Sequence, residues 1–200
     1  LIATSYYALG RQLAATRRFV DAVGAFSSSS DYFAEAGRRR DMLYVLSDLS
    51  RAFYFSEDFK SARECAEKCL ALAESLGDSE IPEGAWPDEY GVAEATTILA
   101  YLSLREGRFT DATEKFRRAL SLYEKLDDDF PNYGGQITDI LDALGDTYGL
   151  TGDYRLSILH FGQALAMARR RALHSEEAGL LLRLGALYLR RDDLESASYF

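Results

Sequence analysis

Residues 141–164 read LDALGDTYGLTGDYRLSILHFGQA. Apolar residues recur at intervals of three and four on both sides of Gly152-Asp153, the signature of two amphipathic helices. A glycine just past the first run and an aspartate just ahead of the second supply stop and start chemistry for a tight turn. The stretch therefore predicts a helical hairpin.

The same hairpin pattern occurs five times. Each second helix carries a small residue: Ala22, Ala62, Ala112, Ser157 and Ala197. Phe19, Phe59, Phe109, Tyr154 and Leu194 stand three positions before it. Leu9, Leu49, Leu99, Leu144 and Leu184 stand thirteen before, each followed by Gly10, Ser50, Ala100, Gly145 or Gly185. Phe26, Ala66, Phe116 and Phe161 follow four positions after the small residue. Small residues on both helices let them approach closely, and the aromatic rings fill what lies between. One such hairpin cannot bury its apolar face alone, so neighbouring copies must stack.

Leu144, Gly145, Tyr148, Gly152, Tyr154, Phe161 and Ala164 together resemble the tetratricopeptide repeat, with Ser157 for the usual alanine, which is expected to loosen that helix contact. Leu99, Gly107, Phe109, Ala112, Phe116 and Ala119 match in the preceding copy, with Ala100 for the glycine. The resemblance covers nearly the whole chain and implies an all-α, right-handed superhelical solenoid of antiparallel helix pairs. The repeats fall at 3–36, 40–76, 90–126, 136–170 and, cut short, 175–200, as a single domain. Helices are expected at 3–16, 18–36, 40–55, 58–76, 90–106, 109–126, 136–150, 153–170 and 175–190, with another starting at 193. The small residues are spaced by 40, 50, 45 and 40, longer than the family's minimal repeat. Proline and glycine cluster at 77–88 and 127–135, which places the excess in inter-repeat loops. The run Asp127-Asp128-Asp129 is expected in the second loop, because acidic side chains oppose a helix C-terminus.

Composition agrees with this fold. Apolar residues make up 48% and charged residues 28%, enough for a core and too apolar for a disordered chain. The net charge of −9 argues against general affinity for nucleic acid and fits an acidic cytoplasmic protein. No apolar run reaches the roughly 20 residues a membrane helix needs. The chain opens at Leu1 without methionine and closes inside a helix at Phe200, which predicts a piece of a longer protein. Uncapped ends predict self-association of that piece.

The resemblance implies recognition on the concave face, lined by first helices. Position by position, that face would expose Tyr7, Arg11, Tyr44, Ser47, Arg51 and Tyr54, then Thr97, Tyr101 and Arg105, then Asp139, Asp142 and Asp146. Its polarity would change from Arg/Tyr-rich to acidic. Arginine beside tyrosine suits carboxylates and flat peptide contacts. Family members that clamp a chaperone's terminal carboxylate use lysine and asparagine where this chain has Tyr7, Arg11, Asp48, Glu94 and Ile98, so that activity is not expected. Trp86, in the long loop, is expected to pack back on the helices.

No nucleophile, P-loop or zinc-helix motif occurs. Cys65, Cys69, His160 and His174 are too scattered for a four-ligand metal site, and the cysteines read as small packing residues. Asp192 and Asp193 read as a helix N-cap. The run Ser27–Ser30 is expected to weaken its helix. The expected function is a non-enzymatic scaffold without cofactors that holds a protein or peptide segment in its groove. The alternative is a ligand-sensing segment of a larger ATPase, protease or transcription regulator.

Overall fold

The computed structural model describes residues 1–76, 88–129 and 132–190. Among them the chain forms nine helices and no strand: α1 Ile2–Ala15, α2 Phe19–Glu35, α3 Arg39–Phe55, α4 Phe59–Leu76, α5 Asp88–Arg105, α6 Phe109–Asp129, α7 Gly134–Thr151, α8 Tyr154–Arg170 and α9 His174–Arg190. Every helix end lies within three residues of the position expected from periodicity. The stretch with Trp86, Pro131, and the helix expected from 193 with Asp192 and Asp193 fall outside the described residues.

Turn chemistry explains the boundaries. Gly152 (φ +84°) closes α7 in the left-handed region, and Asp153 Oδ1 accepts the Leu156 N–H at 3.1 Å to open α8. Gly107 takes the same conformation after α5, whereas Arg17 and Glu57 take it after α1 and α3 with a side chain attached. Asp58 caps α4 by accepting the Ser61 N–H at 3.1 Å.

The chain divides into two compact units, Leu1–Glu106 and Gly107–Phe200. In the first, α1 pairs with α2, α3 with α4, and α3 and α5 lie side by side as consecutive first helices. Phe26, Phe33, Val45, Leu49 and Cys65 form one core cluster; Leu43, Ala66, Cys69, Ile98 and Leu102 form the next. In the second unit α6, α7, α8 and α9 pack each against the next. Its interior holds Phe116, Tyr123, Ile140, Leu144, Phe161 and Leu184.

The small positions of the repeat have a geometric cause. A Cβ on Gly145 would lie 2.5 Å from the Phe161 ring, and one on Gly10 would lie 2.6 Å from Phe26. The aromatic of the second helix is seated directly on the glycine of the first. Ala22, Ala62, Ala112 and Ser157 are wholly buried.

Two local readings change. Helix α6 continues through Asp127 to Asp129 instead of yielding to a loop. The Asp127 carboxylate pairs with Arg171 and accepts the Tyr133 N–H at 2.9 Å, which offsets its unfavourable place at a helix C-terminus. Helix α2 runs unbroken through the serine run, where Ser29 is buried and donates to the Ala3 carbonyl at 2.9 Å. Ser157 likewise tightens its contact with α7, donating to the Gly145 carbonyl at 2.7 Å.

Candidate partner-binding face

The expected site residues of the first unit all lie on α1, α3 and α5, but to different depths. Tyr44, Ser47 and Thr97 are buried rather than exposed. Helix α3 packs against α2, α4 and α5, and α5 packs against α3 and α4, so much of each first helix is covered. Ser47 donates to the Tyr44 carbonyl at 2.9 Å and Thr97 to the Ala93 carbonyl at 2.8 Å. The Tyr44 ring packs against Tyr90, with centroids 6.5 Å apart.

Arg51 is partly covered and sits in a charged network. Its guanidinium lies 3.0 Å from Asp48 Oδ1 and 3.4 Å from Glu94 Oε1. Both carboxylates are interior, Asp48 at 1% and Glu94 at 4% exposure, which makes the shared guanidinium essential to them. Tyr7 Oη donates to Asp48 Oδ2 at 2.8 Å, and the Tyr90 hydroxyl stands 3.5 Å from Oδ1. Burial raises the Asp48 carboxyl above its ordinary value, against the lowering influence of Arg51. Burial, followed by the neighbouring Asp48 charge, raises the Tyr7 phenol.

Asp48 and Glu94 thus turn out to organise the face, although their positions had served only to exclude a terminal-carboxylate clamp. The sequence did carry a signal for them. Glu94 stands in a helix that is apolar on nearly every side, and Asp48 follows a run of apolar residues from Met42 to Leu46; a carboxylate in such surroundings demands a cation.

Around this network the face keeps exposed chemistry. Arg11 lies 6.0 Å from the Tyr7 ring centre, and Arg105 lies 3.9 Å above the Phe59 ring. Tyr54 meets Phe55, Phe59 and Tyr101 at centroid distances of 5.5, 5.6 and 5.7 Å. Phe55, about half exposed, stacks on Phe19 at 4.8 Å. Arg11, Ala14, Ala15, Phe19, Arg51 and Phe55 enclose a hollow of about 350 Å³ between α1 and α3.

In the second unit, Asp139, Asp142 and Asp146 share α7 as expected, but a cation answers two of them. Arg183 of α9 pairs with Asp146 and lies 3.4 Å from Asp142 Oδ1. Burial still pushes the Asp142 carboxyl up to about 6, with Arg183 opposing. Asp139 remains exposed. Spacing along α7 revealed the aspartates, but Arg183 lies 37 residues beyond Asp146.

The soft side chains have structural surroundings. Cys65 and Cys69 are buried and unbridged, and the Cys69 Sγ lies 3.4 Å from the Leu43 carbonyl oxygen. Burial pushes the Cys69 thiol up to about 12. His160 stacks on Tyr148 at 5.4 Å with its ring nearly parallel, inside the α7–α8 pair. Among the described residues no helix is long and apolar enough to cross a membrane.

No family model and no curated protein matches the chain. Solved structures do. The apo form of RapI is similar over 100% of this chain and 67% of its own, at 14% identity and a TM-score of 0.75. A signal-transduction ATPase from Pyrococcus horikoshii with a tetratricopeptide repeat sensor is similar over 98% of this chain and 28% of its own, at 17% identity and 0.76. The Rap conjugation gene regulator of the plasmid pLS20, in complex with the Phr* peptide, is similar over 97% of this chain and 50% of its own, at 15% identity and 0.70. The fold is that of the tetratricopeptide-like helical repeat proteins.

Proposed function

We propose that this chain is a peptide-binding repeat module whose contact surface is the first-helix face of residues 1–106. The observation that carries the reading is the Asp48–Arg51–Glu94 network with Tyr7 and Tyr90. Ion pairs with interior carboxylates add little net stability compared with an apolar core. They do hold Arg51 and the partly buried Tyr7 rigidly at a surface, which reduces the ordering cost of binding. Exposed Arg11 and Arg105 and the Tyr54–Tyr101 pair supply the cationic and aromatic contacts that dominate protein recognition. The pLS20 regulator, similar in fold, is described with a bound peptide, which supports the same use here.

A second reading has its own support. The Pyrococcus horikoshii ATPase contains a repeat sensor, and this chain corresponds to only 28% of that protein's length. On that reading the module senses a ligand for a larger regulatory chain, and the same face receives it. Asp139, Asp142 and Asp146 on α7 would offer a contact surface of their own in residues 107–200. Leu1, and Ile2 and Leu9 of α1, expose apolar surface that would support self-association of the isolated chain.

Selection of random linear peptides on the 200-residue chain tests the reading. The expected result is a shared sequence pattern whose capture falls at least tenfold in Arg11→Glu/Tyr101→Ala. Selection of the same peptides by that variant would overturn it. Arg51 is left intact in this test because a glutamate there would meet two buried carboxylates.

A further inference from the structure

The hollow between α1 and α3 specifies part of what the face would hold. Its walls are the stacked rings of Phe19 and Phe55 and the methyl groups of Ala14 and Ala15. Its rim carries two guanidinium side chains, Arg11 and Arg51. At about 350 Å³ it lies at the small end of the range of ligand sites, roughly 300–1,000 Å³. That volume takes one ring or branched side chain, not a folded surface.

We propose that this hollow receives an aromatic side chain of a peptide whose neighbouring residue is aspartate or glutamate. The inference rests on the peptide-binding reading above and adds the chemistry of the peptide. Phe55 is about half exposed beside the hollow, and offset or edge-on aromatic pairs are favoured beyond simple burial. Arg11 stands at the rim on a solvent-exposed stem and reaches an incoming carboxylate from one side. Arg51 is oriented on the other side by Asp48 and Glu94, which engage one of its terminal nitrogens and its Nε. Guanidinium groups recognise carboxylates through charge-assisted, directional hydrogen bonds that ammonium groups do not reproduce. A cationic side chain on the peptide would meet the Arg11 guanidinium at the rim.

Three small capped peptides separate the parts of this proposal: Ac-Asp-Phe-NH2, the uncharged isostere Ac-Asn-Phe-NH2, and the ringless Ac-Asp-Ala-NH2. Each is titrated into the isotopically labelled 200-residue chain while the amide signals and the Arg11 Nε–H signal are followed. Ac-Asp-Phe-NH2 is expected to shift Arg11, Ala14, Ala15 and Phe55, with at least fivefold tighter binding than either control. Arg11→Gln should abolish the preference for Asp over Asn, and Phe55→Ala should abolish the preference for Phe over Ala. Both side chains have substantial exposure, and a thermal melt establishes that each variant is folded. Equal binding of the three peptides, no binding, or shifts confined to other helices would overturn the proposal. A random-peptide selection that depends on Arg11 and Tyr101 yet lacks acidic residues would sink only this inference and leave the peptide-binding reading standing.

Discussion

Arg51 is the residue on which the first unit's polar interior depends. It serves two carboxylates that have almost no contact with water, so its loss leaves two buried negative charges. Arg51→Ala should lower unfolding free energy by about 3 kcal/mol at neutral pH, measured by urea denaturation. A cost below about 1 kcal/mol would show that water already screens the pair. Asp142 gives a prediction with a pH window. Its carboxyl titrates near 3.8 when unfolded and at about 6 when folded. Between those values the folded state holds a proton that the unfolded state has released. Stability from this group is therefore full below about pH 4 and is lost as pH rises through 6. Asp142→Asn should remove that component, so the difference in urea midpoint between variant and parent should grow from pH 4 to pH 6.5. A constant difference across that range would contradict the assignment.

At the scale of the helix pair, the seat of the second-helix aromatic on the first-helix glycine sets the approach distance. Gly145→Ala would place a methyl carbon 2.5 Å from the Phe161 ring, and the ring is itself buried. Overpacking of this kind should cost about 1–3 kcal/mol, read as a fall in melting temperature. An unchanged melting temperature would mean that the ring can turn aside. Nearly all of this level was legible beforehand, because helix starts, stops and small residues obey local rules that a repeating pattern displays five times over. What escaped was the behaviour of particular polar groups. Ser157 looked like a loosened alanine and is a hydrogen bond to Gly145; Asp127 looked like a loop residue and is held in α6 by Arg171 and the Tyr133 amide. In each case the deciding partner sits 6 to 44 residues away. Periodicity finds the frame and is blind to such partners.

For the molecule as a whole, the face was legible and its depth was not. Matching repeat positions selected Tyr44, Ser47 and Thr97 together with Arg11, Tyr54 and Arg105, because all occupy equivalent turns of first helices. Their exposure differs because α3 packs against α2, α4 and α5, and α5 against α3 and α4, whereas α1 packs chiefly against α2. The same matching treated Asp48 and Glu94 as an obstacle to one ligand class. Packing makes them the support for Arg51 and, through it, for one rim of the hollow. The central claim is that this face, and not the outer second helices, meets the partner. Amide hydrogen exchange on the 200-residue chain, with and without a peptide obtained from the random selection, tests it most directly. The account predicts slower exchange in the C-terminal halves of α1, α3 and α5 and unchanged exchange in α2 and α4. Protection confined to α2 and α4 would contradict it.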